Sequence, residues 1–246
     1  MRRLNLIVLL TLISSAVIAQ EDNPGELLRR AALFGEFDSL QVELTMEITE
    51  RRGSKDRGIA AFVERNEDEA RALVQIVSPA FLNKMKFLSV TEGGDTAQWL
   101  ATSRGARRVS GSNRTDRLFD SDFTLEDLSD YDPEDYELSL LGSERVDGVD
   151  CHVLEAVPVT ADTDYAKRIM YIDQDSGLLV RALFLDDAGN VMREFELLDR
   201  MTVDGVEFPR QVKMTTVTAG THTTLHVDSV VTGEDIPDRY FSRSNL

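Results

Sequence analysis

Hydrophobic and polar residues alternate along most of the chain. In residues 41–50 the apolar side chains occupy the even positions from Val42 to Ile48, and glutamate or threonine fills most positions between them. This period of two is typical of an antiparallel strand with one face on a core and the other in solvent. Short turns rich in Gly, Asp and Asn separate the runs and predict a succession of hairpins. The predicted strands are 41–50, 57–65, 70–77, 86–90, 98–101, 106–109, 136–141, 149–157, 165–173, 178–186, 191–203, 206–218 and 221–231.

A short helix is predicted before the first strand. Asn23 is a good N-cap, Pro24 suits the first helical position, and Glu26 lies in the first turn. Gly35 is expected to end the helix. Its apolar stripe comprises Leu27, Leu28, Ala31 and Phe34.

Residues 119–128 differ from the strands around them. Thr124 is predicted to cap a second short helix whose first turn carries two carboxylates, which favour the helix dipole. Phe123 and Leu128 would pack together across that cap. The segment therefore offers an apolar edge made of Phe119, Phe123, Leu125 and Leu128. We expect the sheet to curl around an apolar hollow that this segment helps to close.

Apolar side chains from many strands are predicted to point into that hollow. A curled sheet or half-barrel of this size can enclose a ligand, and flexible methionines suit a space that accepts guests of variable shape. The candidate inward-facing residues of the strands are Met46, Phe62, Phe87, Trp99, Met170, Phe184, Phe195 and Met214.

The start of the chain predicts export. Residues 1–19 have a basic beginning, an apolar run from Leu4 to Ile18 and small residues before Gln20, which is the pattern of a cleaved signal peptide. No cysteine stands directly after this run, so we expect no lipid anchor. Cys151 is the only cysteine, which excludes an intramolecular disulfide and predicts a buried packing residue in a periplasmic protein. One domain is expected over residues 20–246.

The net charge argues against some partners. The formal charge is -17, which disfavours nucleic acids and anionic membranes as the main partners. One basic cluster stands out, and it is either a solvated turn or a candidate docking site for a phosphate or an acidic partner. Its members are Arg104, Arg107 and Arg108, with Arg114 nearby.

No convincing catalytic or metal-binding pattern is present in the sequence. His222 and His226 lie on a predicted strand, where a spacing of four residues places side chains about 13 Å apart, too far to share a metal. Asp122 and Glu126 are an alternative acid–base pair, but solvent-exposed carboxylates at a capped helix start are the favoured interpretation. We therefore expect no enzyme activity, no cofactor and no metal.

Several segments resemble the outer membrane lipoprotein-sorting protein family, the LolA-like group with the TP0789-type domain. The most specific is the run from Ser121 to Leu128. A tract that usually reads Trp-x-Tyr-x-Pro departs from the family pattern at residues 99–103. The remaining matches are Phe87-Leu88 ahead of Trp99-Leu100, the Arg107-Arg108 turn, the hairpin with Tyr165, Tyr171 and Asp173, and the closing Phe241.

This resemblance implies an unclosed β-barrel, mainly β (α+β), whose concave face is covered by short helices. It also implies a monomeric periplasmic carrier or chaperone, without catalytic residues, that moves acyl chains of lipoproteins or other lipids between the inner and outer membranes. An inner-membrane ABC or exporter-type transporter would be the donor, and an outer-membrane protein the acceptor. The inward-facing residues and the apolar edge are then the candidate lipid-binding residues.

Four alternatives remain open at this stage. The protein is an accessory lipid-binding protein of an exporter-type transporter, or a carboxylate-dependent periplasmic hydrolase that uses Asp122 and Glu126. Strand alternation also fits an outer-membrane barrel, although the aromatic girdles of such barrels are missing. A solid interior would instead indicate a purely structural adaptor.

Overall fold

The computed structural model of the protein describes residues 23–32, 37–66, 69–128, 132–160 and 163–246, so the predicted signal peptide, Phe34 and Gly35 lie outside it. The described residues form one α-helix and thirteen strands. These are α1 (Pro24–Arg30), β1 (Ser39–Glu50), β2 (Gly53–Arg65), β3 (Glu69–Ser78), β4 (Lys86–Glu92), β5 (Asp95–Thr102), β6 (Gly105–Val109), β7 (Tyr136–Val146), β8 (Val149–Pro158), β9 (Lys167–Asp173), β10 (Leu179–Leu185), β11 (Val191–Val203), β12 (Val206–Thr216) and β13 (Thr221–Thr232). Short 3-10 turns occur at Ala80–Leu82, Gly111–Thr115, Leu118–Asp120, Glu126–Leu128, Pro133–Asp135, Asp238–Phe241 and Arg243–Asn245.

The strands form one antiparallel sheet that stays open. Its order is β6-β5-β4-β3-β2-β1-β13-β12-β11-β10-β9-β8-β7. The chain steps from β1 out to one edge at β6, crosses to the other edge at β7, and steps back until β13 pairs with β1. Within the described residues β6 and β7 do not pair. The predicted mainly β fold with an antiparallel sheet is confirmed, but the term barrel does not apply to it.

One apolar cluster shared by strands near both edges shows that the sheet curls. Phe87 on β4 and Leu154 on β8 belong to the same buried cluster although they lie near opposite edges. Thirteen strands about 4.8 Å apart would span more than about 50 Å in a flat sheet. A shared cluster therefore requires a concave face, which we call the inner face.

The N-terminal helix covers part of this core. Asn23 caps α1 as predicted, since its side-chain oxygen accepts a hydrogen bond from the Gly25 N–H at 2.9 Å. Leu27, Leu28 and Ala31 are buried in the inner-face cluster. The sequence thus predicts both the start of the helix and the side that it buries.

Strand positions agree with the sequence prediction apart from their ends, and the largest difference is at Gly142. The sequence predicted a turn there, but β7 continues to Val146 and the turn falls at Asp147-Gly148. The pairing with β8 slips between Leu140 and Gly142, and Gly142 has a φ of 126°. The glycine therefore forms a bulge in the strand, where its freedom to adopt positive φ is needed.

The outer face of β2 to β5 carries a second core. The prediction that Phe62 and Trp99 point inward is wrong, because both pack against this separate cluster. The Tyr240 ring lies 4.4 Å from the Phe62 ring, and the Arg243 guanidinium lies 5.3 Å from the Trp99 ring. The C-terminal segment thus covers apolar side chains on the outer face here, so alternation alone does not identify the inner face. The buried members of the cluster are Leu73, Leu88, Ile236 and Phe241.

Two smaller observations complete the fold. Cys151 on β8 is buried, and burial raises the pKa of its thiol, as predicted for a packing residue. No helix in the described part of the chain has the length and hydrophobicity to cross a membrane.

Phe241→Ala is expected to destabilise the protein by about 3–5 kcal/mol, the usual cost of truncating a buried phenylalanine. The ring is 6% exposed and lies 4.7 Å from the Arg71 guanidinium. Urea unfolding measures the loss. Phe81→Ala is the control, because Phe81 is 81% exposed and its removal should change stability by less than about 0.5 kcal/mol. Equal midpoints for Phe241→Ala and wild type would show that the C-terminal segment is not part of the cooperative fold.

Candidate functional site

Residues 116–128 form a self-contained loop on the inner face, which we call the plug. Its backbone bonds mainly to itself: the Leu118 N–H donates to the Phe123 carbonyl at 2.8 Å, and the Leu125 N–H donates to the Asp116 carbonyl at 3.0 Å. Arg117 and Thr124 pair as an isolated antiparallel bridge. In the described residues, no backbone-to-backbone hydrogen bond is found between the plug and the sheet.

The predicted helix capped by Thr124 is wrong. Only a single 3-10 turn forms, at Glu126–Leu128. Asp127 Oδ2 accepts hydrogen bonds from the Thr124 N–H at 2.7 Å and from the Thr124 hydroxyl at 3.0 Å. The carboxylate therefore closes the turn from its far end, while the bridge to Arg117 holds Thr124 in an extended conformation.

The apolar side of the plug packs into the inner-face core and fills it, whereas the sequence predicted a hollow that this segment helps to close. Leu118, Phe119, Phe123 and Leu125 are at most 2% exposed, and Leu128 packs against the same cluster. The strand residues of the inner-face cluster that were candidates from sequence are Met46, Phe87, Met170, Phe184, Phe195 and Met214. The structure thus brings ten of the twelve candidates together, and their contact with lipid stays a prediction.

Little free space remains around the plug. An apolar cleft of about 30 Å³ lies between the plug, α1 and β10 to β12, and a second of about 20 Å³ lies between β1, β12 and β13. Each volume holds no more than one or two water molecules. A larger apolar guest can enter this apolar core only if the plug moves, since the cavity of about 560 Å³ bordered by β4, β5 and β6 has a mainly polar lining. The first cleft is lined by Ala31, Ala32, Phe123, Asp127, Leu178, Leu179, Phe184, Phe195, Pro209 and Met214.

The turn of the plug is strained. Phe119 and Asp120 have φ values of 51° and 60°, in the left-handed region that non-glycine residues seldom adopt. Each residue in such a conformation costs about 1–3 kcal/mol of folding free energy. The Arg57 Nη2 atom holds the turn by an ion pair with Asp120 Oδ2 at 3.1 Å.

Asp122 attaches the plug to two neighbouring strands. Its carboxylate accepts hydrogen bonds from the hydroxyls of Thr216 on β12 at 2.6 Å and of Thr223 on β13 at 2.8 Å, and also from Thr221. The Asp122 N–H donates to the Thr223 hydroxyl oxygen at 2.9 Å. The Asp122 side chain is fully buried, so this group of threonines replaces its water shell.

Asp127 forms a buried ion pair with Arg193 of β11. Both residues are less than 10% exposed. The Arg193 guanidinium also lies 4.6 Å from the Phe184 ring. Burial on its own would lower the pKa of Arg193, but the charge of Asp127 raises that pKa overall. The pair is therefore a second attachment between plug and sheet.

Glu126 completes the polar attachments. Its carboxylate accepts a hydrogen bond from the Tyr165 hydroxyl at 2.5 Å. The buried Arg168 lies close to both, with its guanidinium 4.6 Å from the Tyr136 ring. Burial raises the pKa of Glu126, although the Tyr165 hydrogen bond and the Arg168 charge act in the opposite direction.

These contacts correct the expectation of exposed carboxylates. Asp122, Glu126 and Asp127 are 3%, 3% and 8% exposed. Sequence reasoning missed Arg168 and Arg193, which stand two residues before Met170 and Phe195 and therefore share the inward-facing positions of their strands. An arginine in an inward register position was the available signal for a buried partner of these acids.

The predicted basic cluster lies at the edge strand β6. Arg104, Arg107 and Arg108 are exposed, and Arg107 pairs with Asp116 at 2.5 Å. Arg108 and Arg114 border a polar cavity of about 560 Å³, which also has acidic residues in its wall. Mixed charge in this cavity gives no preference for a phosphate, and docking there stays a prediction. No cluster of three or more histidine, cysteine or acidic side chains suited to a metal was found in the described ranges.

Glu126→Gln is expected to stabilise the protein progressively as the pH rises. Because the folded-state pKa of Glu126 is raised, the neutral carboxyl is favoured in the fold, and the associated stability is complete below about pH 4, the ordinary range of glutamate, and is lost at higher pH. Glutamine keeps an oxygen for Tyr165 and cannot ionise. Melting temperatures of variant and wild type should coincide near about pH 4 and then separate, with the variant higher.

The exposed Glu92→Gln is the control for this titration. Its difference from wild type should stay small at every pH. A Glu126→Gln difference that is constant with pH would contradict the assignment of a penalised buried carboxylate.

The comparisons with known proteins agree with this architecture. A family model described as "Uncharacterized protein" matches residues 68–246. No curated protein sequence matches the chain. Three solved structures superpose over nearly their whole length.

A DUF1329 family protein from Desulfovibrio piger has a TM-score of 0.81 at 23% identity, covering 91% of this chain and 97% of its own. A protein domain assigned to outer membrane lipoprotein sorting, from Vibrio parahaemolyticus, has a TM-score of 0.80 at 21% identity, covering 89% and 96%. A LolA superfamily protein from Nitrosomonas europaea has a TM-score of 0.69 at 19% identity, covering 91% and 100%. The predicted resemblance is confirmed at the level of the fold. Since the family model spans most of the chain, the protein belongs to the family that this model defines, and it has the fold shared by the lipoprotein-sorting domain and the LolA superfamily protein.

Proposed function

We propose that the protein is a periplasmic carrier that shelters acyl chains of lipoproteins or other lipids in the space now filled by the plug. The observation that carries this proposal is the plug itself: an apolar loop lies on a concave apolar face and is attached to it mainly by side chains. Such a loop can leave without breaking any strand pairing. The similarity to a lipoprotein-sorting domain and to a LolA superfamily protein supports the same function.

The burial free energy of one acyl chain is large enough to replace that of the plug. The plug buries four large apolar side chains, each worth about 1.5–3 kcal/mol, so about 6–12 kcal/mol of burial must be replaced when it leaves. An acyl chain contributes about 0.8 kcal/mol for each buried CH₂ group. About 8 to 15 methylene groups therefore offset the loss, which is the length of one ordinary acyl chain.

The plug is also prepared to move. Strain at Phe119 and Asp120 is released when the turn relaxes, which offsets part of the cost of opening. The polar attachments at Asp122, Glu126 and Asp127 return to water, where the carboxylates regain hydration. Opening therefore costs apolar surface, and it also leaves the buried Arg193 without Asp127 until another group replaces that carboxylate.

The predicted export signal supports a periplasmic location for this carrier. We infer that the carrier is soluble in the periplasm, accepts its cargo from an inner-membrane ABC or exporter-type transporter and delivers it to an outer-membrane acceptor. An accessory lipid-binding protein of an exporter-type transporter would use the same lipid site and would differ only in its partner. Binding and release by burial need no catalytic group, and the hydrogen bonds that engage Asp122 and Glu126 argue against the hydrolase alternative.

Protein purified without detergent is expected to carry lipid that mass spectrometry detects, and the stripped protein should bind a fluorescent fatty acid. Asp122→Ala is expected to accelerate this binding, because it removes the acceptor of three threonine hydroxyls that hold the plug closed. Loss of such buried hydrogen bonds costs about 1–3 kcal/mol, which corresponds to a roughly five- to 150-fold larger open population.

Asp228→Ala is the matched control. Asp228 also accepts a hydrogen bond from a threonine, Thr45 at 2.9 Å, but on an exposed part of the sheet. Its binding rate should equal that of the wild type. Absence of lipid in the purified protein, combined with no fatty-acid binding by either wild type or Asp122→Ala, would contradict the carrier function.

A further inference from the structure

Arg193 is a buried cation in an apolar setting. It is 5% exposed on the inner face of β11. Its guanidinium lies over the Phe184 ring, and its Nη2 atom is 3.7 Å from the Met214 sulfur. Phe184 and Met214 also line the apolar cleft beside the plug. Any ligand that replaces the plug will therefore contact this cation.

The hydrogen-bonding capacity of Arg193 is only partly used. Its Nη2 atom donates to Asp127 of the plug, whereas Nε and Nη1 have no hydrogen-bond partner among the described residues. The other acids that act on it, Asp164 and Glu126, do so through their charge at longer range. One carboxylate oxygen from the plug thus engages one edge of a guanidinium that can bind an anion through two parallel hydrogen bonds.

Withdrawal of the plug removes Asp127 and leaves this cation facing the hollow. A buried charge without its partner is strongly unfavourable. The open state therefore stays unfavourable until another anion binds Arg193. We propose that Arg193 binds the acidic head group of the ligand, that the ligand is an anionic amphiphile with a carboxylate or phosphate next to its acyl chain, and that Asp127 occupies the place of that head group in the closed state. This inference rests on the proposed carrier function.

The overall charge of the protein makes a local anchor necessary. A formal charge of -17 repels anionic amphiphiles at long range. Preference for an acidic head group must therefore come from contacts inside the site, where low polarity strengthens a charge-assisted hydrogen bond. Arg193 supplies donors at that depth, and its planar guanidinium suits both carboxylate and phosphate oxygens.

The test compares three probes below their micelle-forming concentrations: oleate, oleoyl lysophosphatidate and the neutral oleyl alcohol. Calorimetry measures their affinities for the stripped full-length protein. Wild type is expected to bind at least one of the two anionic probes about tenfold or more tightly than oleyl alcohol, the usual gain from a charge-assisted hydrogen bond. Tighter binding of oleate identifies a carboxylate ligand, and tighter binding of lysophosphatidate identifies a phosphate ligand.

Three variants locate the effect. Asp127→Asn should tighten binding of all three probes and of the anionic probes most, because it loosens the plug and leaves Arg193 without its closed-state anion. The double variant Asp127→Asn/Arg193→Gln keeps a hydrogen-bonding neutral pair, which protects the fold, and should bind anionic and neutral probes equally. Arg181→Gln/Glu194→Gln is the matched control, since it neutralises a more exposed pair between β10 and β11, and it should behave as wild type.

Two results would overturn the inference while leaving the carrier function intact. One is equal affinity of the wild type for oleyl alcohol and both anionic probes. The other is an anionic preference that survives in Asp127→Asn/Arg193→Gln, provided that circular dichroism shows the double variant folded. Failure of every probe to bind any variant would instead reject the carrier function, and the ligand class with it.

Discussion

The whole structure depends on keeping the inner face of an open sheet out of water. Thirteen antiparallel strands present a large apolar surface on one side, and such a surface is stable only when another layer covers it. Curling brings the two halves of the sheet together but leaves a gap along the middle. The plug and α1 occupy this gap with side chains such as Phe123 and Leu28, so that the core is continuous. The plug and α1 therefore stabilise the fold, and the proposed carrier function depends on the same two elements.

The polar contacts of the plug define its position more than they add to its stability. Burying Asp127 against Arg193 requires both charges to lose water, and a well-packed apolar pair of the same size is often equally stable or better. Charged pairs restrict the geometry, however, and the carboxylates of the plug regain hydration when it leaves the sheet. A plug held by Asp122 and Asp127 is thus held in one register and can still be released. A plug held by leucines alone would be less specific and would have no such compensation on opening.

The sequence predicted the local elements well because their signals are local. Period-two alternation and Gly- or Asp-containing turns identified the strands, and Asn23 identified the start of α1. The failures arise where distant segments meet. Phe62 and Trp99 were assigned to the wrong face because the outer face is apolar here as well. The C-terminal segment that covers this face lies more than 130 residues away in the sequence.

Prediction of the candidate site likewise succeeded for local features and failed for contacts between distant segments. The apolar edge of the plug was visible in the sequence, since its residues sit together in ten positions. The acids beside it resembled the exposed first turn of a helix, and only the register of Arg168 and Arg193 on remote strands reveals that they are buried. Hydroxyls from Thr216 and Thr223 then complete a set of partners that no sequence spacing relates to Asp122.

A filled hollow, which on sequence grounds indicates a structural adaptor, is compatible with the proposed carrier function if the plug acts as a replaceable substitute for the guest. An empty apolar cavity costs about 24 cal/mol per Å³, so several hundred Å³ of vacant space would cost on the order of 10 kcal/mol, comparable to the whole stability of a domain. A carrier of the proposed kind would therefore have to supply a substitute for its guest, and the substitute would have to bind less well than the guest. The plug would meet both conditions. Its apolar side chains bury about as much surface as one acyl chain. Its turn is strained, and it engages only one of the three guanidinium nitrogens of Arg193, so a better ligand can replace it.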